Sequence, residues 1–276
     1  MTIAPERPST GHSPPPPYRT NWALLTILLV IIGALVAALV WLVADDDAGG
    51  STTVAERISG SGTIIQEDRP VGQFDSLALY SAGRIIITEA AAPSLSVETD
   101  DNLLSYIQTE VSGGRLEITA ESDGRSYNLD PSDEILFRLA ITDLSELEIF
   151  GAGRIEAAAV TSDDLALRVF GSGTVVIDEL TGDRLRIEVP GHAELQIGGT
   201  VTQQTVSWMG AGDYDGTMLQ SERVDVAILG AATMSLWATE SLDVNITGAG
   251  TVEYYGAPRV DQRITGVGQV KSLGAK

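Results

Sequence analysis

The sequence predicts an all-β protein, a mostly parallel β-solenoid of about 20 residues per coil, behind an N-terminal transmembrane helix. Three observations predict it. A short turn of the form Gly-x-Gly returns nine times, alternating apolar runs flank each return, and one stretch of 22 residues carries no charge. From Gly151 onward the first turn position recurs at 151, 171, 191, 210, 230, 248 and 266, at intervals of 20, 20, 19, 20, 18 and 18. A fixed period near 20 residues, with strand-like sequence on both sides, means stacked coils rather than a layered globule.

Composition narrows the function classes. The formal net charge is −21, from 38 acidic and 17 basic side chains, and the only lysines are Lys271 and Lys276. Nucleic acid is excluded as a partner, because phosphate contacts need clustered Lys and Arg. There is no cysteine, and the histidines are His12 and His192 alone. Thiolate chemistry, disulfides and Cys-ligated zinc are therefore absent, and general-base and metal-ligand schemes are starved.

In chain order, residues 1–21 are polar and proline-rich, with Pro14 to Pro17 consecutive, and are expected to stay extended and solvated on the cytoplasmic side. Residues 22–44 are predicted to span the lipid bilayer. Trp22 to Val43 has only Thr26 as a polar interruption, and as a helix it would measure about 33 Å. Trp22 and Trp41 lie near its ends, where indole rings favour the membrane interface. Arg7 and Arg19 precede it and Asp45 to Asp47 follow, so the N-terminus is placed in the cytoplasm and the remainder outside, as a single-pass cell-membrane protein. A cleaved signal peptide is the competing reading; its apolar region is ordinarily ~7–15 residues and ends in a small-x-small site, whereas Leu42-Val43-Ala44 is a poor cleavage sequence. Residues 45–58, acidic and small, read as a flexible tether. Residues 59–276 form the predicted solenoid domain.

Within the solenoid, the inward column before each turn reads Leu165-Leu167-Val169, Leu185-Ile187-Val189, Val224-Val226-Ile228 and Leu242-Val244-Ile246. A second column after the turn runs Ile64, Ile85, Ile155, Val175, Leu195, Tyr214, Met234, Val252 and Val270. The turn glycines are expected either to adopt positive φ or to allow close chain approach, since glycine does both without a Cβ clash. The stretch from Glu89 to Thr142 breaks the period and reads as a decorated part of the same solenoid, with a polar excursion from Ser122 to Asp133.

These residues carry a resemblance. Gly60-Ser61-Gly62, the downstream Phe74-Asp75-Ser76-Leu77 and the Ser81-Ala82-Gly83 turn resemble the bacterial head GIN domain family, labelled putative auto-transporter adhesins. Val97-Glu98-Thr99-Asp100-Asp101-Asn102-Leu103-Leu104 and Gly113-Gly114-Arg115-Leu116-Glu117-Ile118 are similar to it as well, so the resemblance covers about 60–270. It implies a single-stranded right-handed β-helix in the bacterial envelope, and it brings no catalytic residues.

Candidate sites are few. His192 lies in a turn whose neighbouring coils offer Ser172 and Ala211 but no acid, so it reads as a polar corner residue. The acidic pairs Asp100-Asp101, Asp133-Glu134, Asp163-Asp164 and Asp213 with Asp215 read as solvated loop charge. Asp213-Tyr214-Asp215-Gly216 starts like a calcium loop but lacks the rest. No catalytic set, cofactor site or metal site is predicted. The residue before each turn is more informative: Tyr80, Phe150, Phe170, Pro190, Met209 and Leu229 would stack into an outward apolar ladder along one corner. Two arrangements fit that register, an exposed binding surface or a ladder packed under the 120–133 excursion or the tether.

The expected role is therefore non-enzymatic binding, adhesin-like, to an envelope glycan or a surface protein. A polysaccharide-acting enzyme is the first alternative, although the outward Arg168, Arg186 and Asp225 make no evident cluster. An accessory or sensor subunit of an envelope complex is the second. The sequence leaves oligomeric state open; an uncovered solenoid end would invite association.

Overall fold

The computed structural model describes residues 56–276, and every element in it except one short 3-10 turn is a β-strand. The predicted tail, the bilayer-spanning segment 22–44 and most of the predicted tether lie outside the described residues. Among the described residues no helix is long and apolar enough to cross a membrane.

The chain opens with β1 (Glu56–Ser59) and β2 (Ile64–Arg69), then β3 (Ser76–Leu79) and β4 (Gly83–Glu89) around the corner at Ser81. An insertion follows: β5 (Ser94–Asp100), a 3-10 turn at Leu104–Tyr106, β6 (Ile107–Ser112), β7 (Arg115–Ser122), β8 (Arg125–Asp130) and β9 (Leu136–Ile141). The regular coils then run β10 (Glu146–Ile149), β11 (Ala152–Thr161), β12 (Asp164–Val169), β13 (Ser172–Val189), β14 (His192–Trp208) and β15 (Ala211–Ile228). They end with β16 (Ala231–Ile246), β17 (Ala249–Tyr255), β18 (Arg259–Ile264) and β19 (Val267–Gly274).

From β10 onward all pairing is parallel, and each residue meets its counterpart one coil on. Asp164 pairs with Arg184, Arg184 with Gln203, Gln203 with Arg223, Arg223 with Ser241, and Ser241 with Arg259, about six turns. The spacing of successive turns in the sequence is thus the register of the sheet.

Alternation decides which side chains fill the interior. Leu165, Leu167 and Val169, and their equivalents through Leu242, Val244 and Ile246, are all buried. So is the second column at Ile85, Ile155, Val175, Leu195, Tyr214, Met234 and Val252. Val and Ile stack well on a pleated surface, and only stacked neighbours can close such a narrow interior. Ile187→Val is expected to cost ~1 kcal/mol, measured by urea unfolding, because a fully buried methyl would be lost from a coil with coils on both sides. Alternation missed one polar interior. Gln204 occupies the inward position between Leu185 and Val224 and is buried. It donates to the Tyr214 hydroxyl and accepts from Ser221 Oγ at 3.2 Å, and burial pushes the Tyr214 phenol pKa up.

The corner glycines are explained by close approach. At Gly171 a Cβ would lie 2.1 Å from the Gly151 carbonyl oxygen and 2.3 Å from that of Phe150, in the coil before. The same conflict recurs at Gly151, Gly191, Gly210, Gly230, Gly248 and Gly266.

Three expectations are corrected at the N-terminal end. Gly60-Ser61-Gly62 is not a solenoid corner and Ile64 is not in the inward column: Ile64 is exposed, because β2 pairs antiparallel with β5 outside the regular stack. The tether reading of 45–58 fails at its end, since β1 pairs in parallel with β8. The polar excursion is itself a strand, β8, joined to β7 as an antiparallel hairpin.

The insertion closes one end of the solenoid. Its β7 adds to β3 and its β9 adds to β4, both in parallel, extending the two faces by one layer. Antiparallel β6 then covers β7, and antiparallel β5 covers β9.

Candidate functional site

The ladder residues share one register. The backbone amides of Phe150, Phe170, Met209 and Leu229 donate to Leu79, Ile149, Val189 and Trp208 of the preceding coils at 2.8–2.9 Å. Each side chain therefore stands directly above the one before. Tyr80 and Phe150 stack with ring centroids 4.5 Å apart and planes 5° from parallel, and Phe150 and Phe170 do so at 4.7 Å and 5°. These separations match the ~4.7–4.9 Å between paired strands. Such ring pairs add ~0.5–1.5 kcal/mol each beyond burial.

The ladder faces solvent. Tyr80 and Phe170 are 42% exposed, Met209 50% and Leu229 55%, while Phe150 is half-buried between its two neighbours. Pro190 continues the line half-buried, and Thr247 ends it. From Tyr80 to Leu229 the apolar ridge covers six layers, roughly 24 Å at strand spacing.

A charged cluster borders the aromatic end. Arg115 from the insertion reaches Glu148 and Glu117 and, at 3.8 Å, Glu146. It also donates to the Tyr80 hydroxyl at 3.3 Å. Arg168 joins Glu146, Glu148 and Glu188 from the other side. Partial burial works against the charged form of Glu146, but the Ser76 hydroxyl, Arg168 and Arg115 outweigh it and hold its pKa below the usual carboxylate range. Arg168, Arg186 and Asp225 do not converge on one another; Arg168 instead joins this separate cluster, while Arg186 pairs with Asp164. Sequence reading missed the cluster because Arg115 lies 53 positions before Arg168 and is brought alongside only by the β7–β3 pairing. Its carboxylates are held in ion pairs on the outer face.

The remaining candidates separate. His192 is exposed at its corner, in register with Ser172 and Ala211. Asp213 and Asp215 lie within β15 on either side of buried Tyr214, and so form no loop. Asp164 is paired with Arg184 and Arg186. Among the described residues no group of three or more His, Asp or Glu is placed to hold a metal ion.

Asp100 is the exception to the reading of the acidic pairs as solvated, while Asp101, Asp133, Glu134, Asp163, Asp213 and Asp215 are exposed. Asp100 is buried, and its carboxylate accepts from Gly62 N at 2.7 Å, Ser132 N at 2.8 Å and Ser132 Oγ at 2.6 Å. Asn102 accepts from Ser61 N and donates to the Ser59 carbonyl, both at 2.9 Å. The Gly60-Ser61-Gly62 turn is therefore clasped by Asp100-Asp101-Asn102.

No curated protein matches the chain. Solved structures do. A putative adhesin from Bacteroides fragilis superposes with a TM-score of 0.72 at 22% identity, over 78% of this chain and 100% of its own. A putative lipid binding protein from Parabacteroides distasonis gives 0.64 at 25% identity, over 79% and 100%. A putative adhesin from Parabacteroides merdae gives 0.61 at 17%, over 79% and 100%. The family model described as "Putative auto-transporter adhesin, head GIN domain" matches residues 73–258, which hold the corner turns from Ser81 to Gly248, the insertion and the whole apolar ladder. The chain belongs to the head GIN domain family.

Proposed function

We propose that this protein is a non-enzymatic recognition module of the bacterial envelope, carried outside the cell on a membrane segment at 22–44, and that the apolar ladder is its contact surface. One observation supports this above the others: the ladder is both exposed and ordered, with three rings already stacked at 4.5–4.7 Å. Preorganised aromatic groups bind without the entropy loss of fixing side chains on contact. A contiguous exposed apolar strip on an otherwise acidic surface is where a partner gains most from desolvation. The adhesin names of the family and its structural neighbours agree with a binding role. The uncharged length and flanking tryptophans of 22–44 support the anchor.

The test is binding of the purified full chain to peptidoglycan, to isolated envelope glycans, to whole cells and to phosphatidylcholine vesicles. Phe150→Ser/Phe170→Ser is expected to weaken binding at least tenfold. Its two lost ring contacts cost about 1–3 kcal/mol of stability, so binding is compared well below the variant's melting temperature. Unaltered binding by the folded double variant overturns the ladder as the surface. Binding to vesicles alone would favour the lipid role named for the Parabacteroides distasonis neighbour. No binding to any of them moves the reading to an accessory subunit of an envelope complex.

A further inference from the structure

The two ends of the solenoid are finished differently. At the insertion end antiparallel β5 and β6 cover the last parallel layer. At the other end β18 pairs in parallel with β16 along one edge, and no strand among the described residues pairs with its second edge. Register sets Val260, Gln262 and Ile264 of β18 over Leu242, Val244 and Ile246 of β16, in the inward columns. The three β16 residues are buried, whereas Val260 is half-buried and Gln262 and Ile264 are exposed. Thr265 N donates to Ile246 O at 2.8 Å, which fixes the direction of the backbone groups in this layer. Along a parallel strand, alternate residues turn both their N–H and their C=O to the same side. Arg259, Asp261 and Arg263 therefore bond toward β16, and the N–H and C=O groups of Val260, Gln262 and Ile264 point to the open edge. Such an edge is a ready template for another strand.

We propose that this edge is an interface with a second copy of the chain, an antiparallel β18–β18 pairing across a two-fold axis through Gln262. A two-fold contact uses one patch twice, so the strand must complement its own reversal. Centred on Gln262, it does. Gln262 then meets Gln262 of the other copy, and Val260 meets Ile264 on either side. These are hydrogen-bonded pairs, and they engage every backbone group that β18 turns to the open edge. On the inner face the Val260–Ile264 pairs close the exposed columns, and the Gln262 amide, donor and acceptor at once, pairs with its own image. On the outer face Asp261 stands directly opposite Arg263, twice by symmetry. Both are exposed, and neither is in an ion pair among the described residues. Moving the axis by one residue destroys the match. Through Asp261, it sets Asp261 against itself and Arg259 against Arg263; through Arg263, it sets Arg263 against itself. Like charges directly opposite are destabilising. Two chains of net charge −21 repel at a distance, so local opposite-charge pairs decide where they can meet. The two-fold reverses β18 and sends the insertion-capped ends of the two copies to opposite ends of one joined solenoid.

The test uses the full chain in dodecyl maltoside micelles, with the protein mass read by light scattering across a dilution series. A species of twice the 29.1 kDa of one chain is expected, dissociating on dilution. Asp261→Arg and Arg263→Asp each place like charges across the axis and are expected to weaken the dimer at least about tenfold. The double exchange Asp261→Arg/Arg263→Asp restores opposite charges and is expected to return the affinity to within about threefold of the wild type. Both positions are exposed, and melting temperatures establish that each variant is folded. The chain has no cysteine, so Gln262→Cys gives a single thiol on the axis. Its image would lie ~5.5 Å away between Cα atoms, inside the range a disulfide bridges, and mild oxidation is expected to link two chains. Glu194→Cys, exposed on β14 in the middle of the solenoid, is expected to stay unlinked. A chain that is monomeric throughout the dilution series overturns the proposal. So does a dimer that ignores both charge reversals, that the double exchange fails to rescue, or that Gln262→Cys does not link, since its contact then lies elsewhere on the chain.

Discussion

Gly210→Ala is expected to be among the most destabilising single substitutions in the solenoid, at or above the upper end of the ~1–3 kcal/mol range for overpacking. The new Cβ would sit 1.6 Å from the Gly191 carbonyl oxygen and 2.8 Å from that of Pro190. Both obstacles are backbone, so no rotamer change relieves them. The same corner carries the hydrogen bonds that hold the coils together: Gly210 N donates to Val189 O at 2.9 Å, and Ala211 N to Gly191 O at 3.1 Å. Moving the layers apart to admit a methyl would stretch these bonds and separate the interior columns beneath them. Gly72→Ala is the control, since a Cβ there meets nothing within 4 Å, and it is expected to change stability by less than about 0.5 kcal/mol. Urea midpoints of the two variants compare them directly. Equal effects would show that the corners do not depend on close stacking.

That close approach explains why so much of the fold was legible. A corner glycine is needed wherever one coil sits on another, so its period in the sequence is the period of the structure. The residue before it must point outward, so the ladder positions can be read off the same repeat. Legibility stops where partners are distant. Gly60-Ser61-Gly62 has the local pattern of a corner but a different cause: Gly62 has φ +85°, and a Cβ on Gly60 would strike the Asp100 carboxylate at 2.2 Å. Two unlike constraints produce the same three letters. The inward Gln204 was hidden for a related reason, since alternation assigns a side but not the Tyr214 and Ser221 that satisfy its amide.

The border of the ladder shows the same division. Glu146, Glu148 and Arg168 could each be placed on the outward side by parity. What joins them is Arg115, from an insertion whose pairing with β3 no local pattern announces. The layer beneath Tyr80 differs because β7 runs on into the hairpin with β8 where the later coils turn. Sequence carried one trace of it: Ser81 stands where the later corners have glycine, a sign that the layer beneath is different.

Asp100→Ala is expected to lower the melting temperature by on the order of 5–10 °C, and Asp100→Asn to remove part of the chain's sensitivity to acid. The carboxylate ties three segments distant in sequence, taking hydrogen bonds from Gly62 before it and from the amide and hydroxyl of Ser132 after it. Alanine leaves those donors unpaired in a buried site, which is the costly way to lose a hydrogen bond. The Ser132 hydroxyl is the largest influence on the Asp100 pKa; it outweighs the opposing effect of burial, and the Ser132 and Gly62 amides add to it, leaving the group below its ordinary value. A carboxylate with a depressed folded-state pKa binds its proton more readily when unfolded. Its contribution is therefore complete above the unfolded value near 4 and is lost as pH falls through the lower folded value. Asparagine keeps one acceptor and has no titrating proton. Its melting temperature should start below the wild type at pH 7 and fall less steeply below about pH 4, so that the two curves converge in acid. Parallel curves would mean that the clasp around Gly60-Ser61-Gly62 draws nothing from the charge of Asp100 and depends on packing alone.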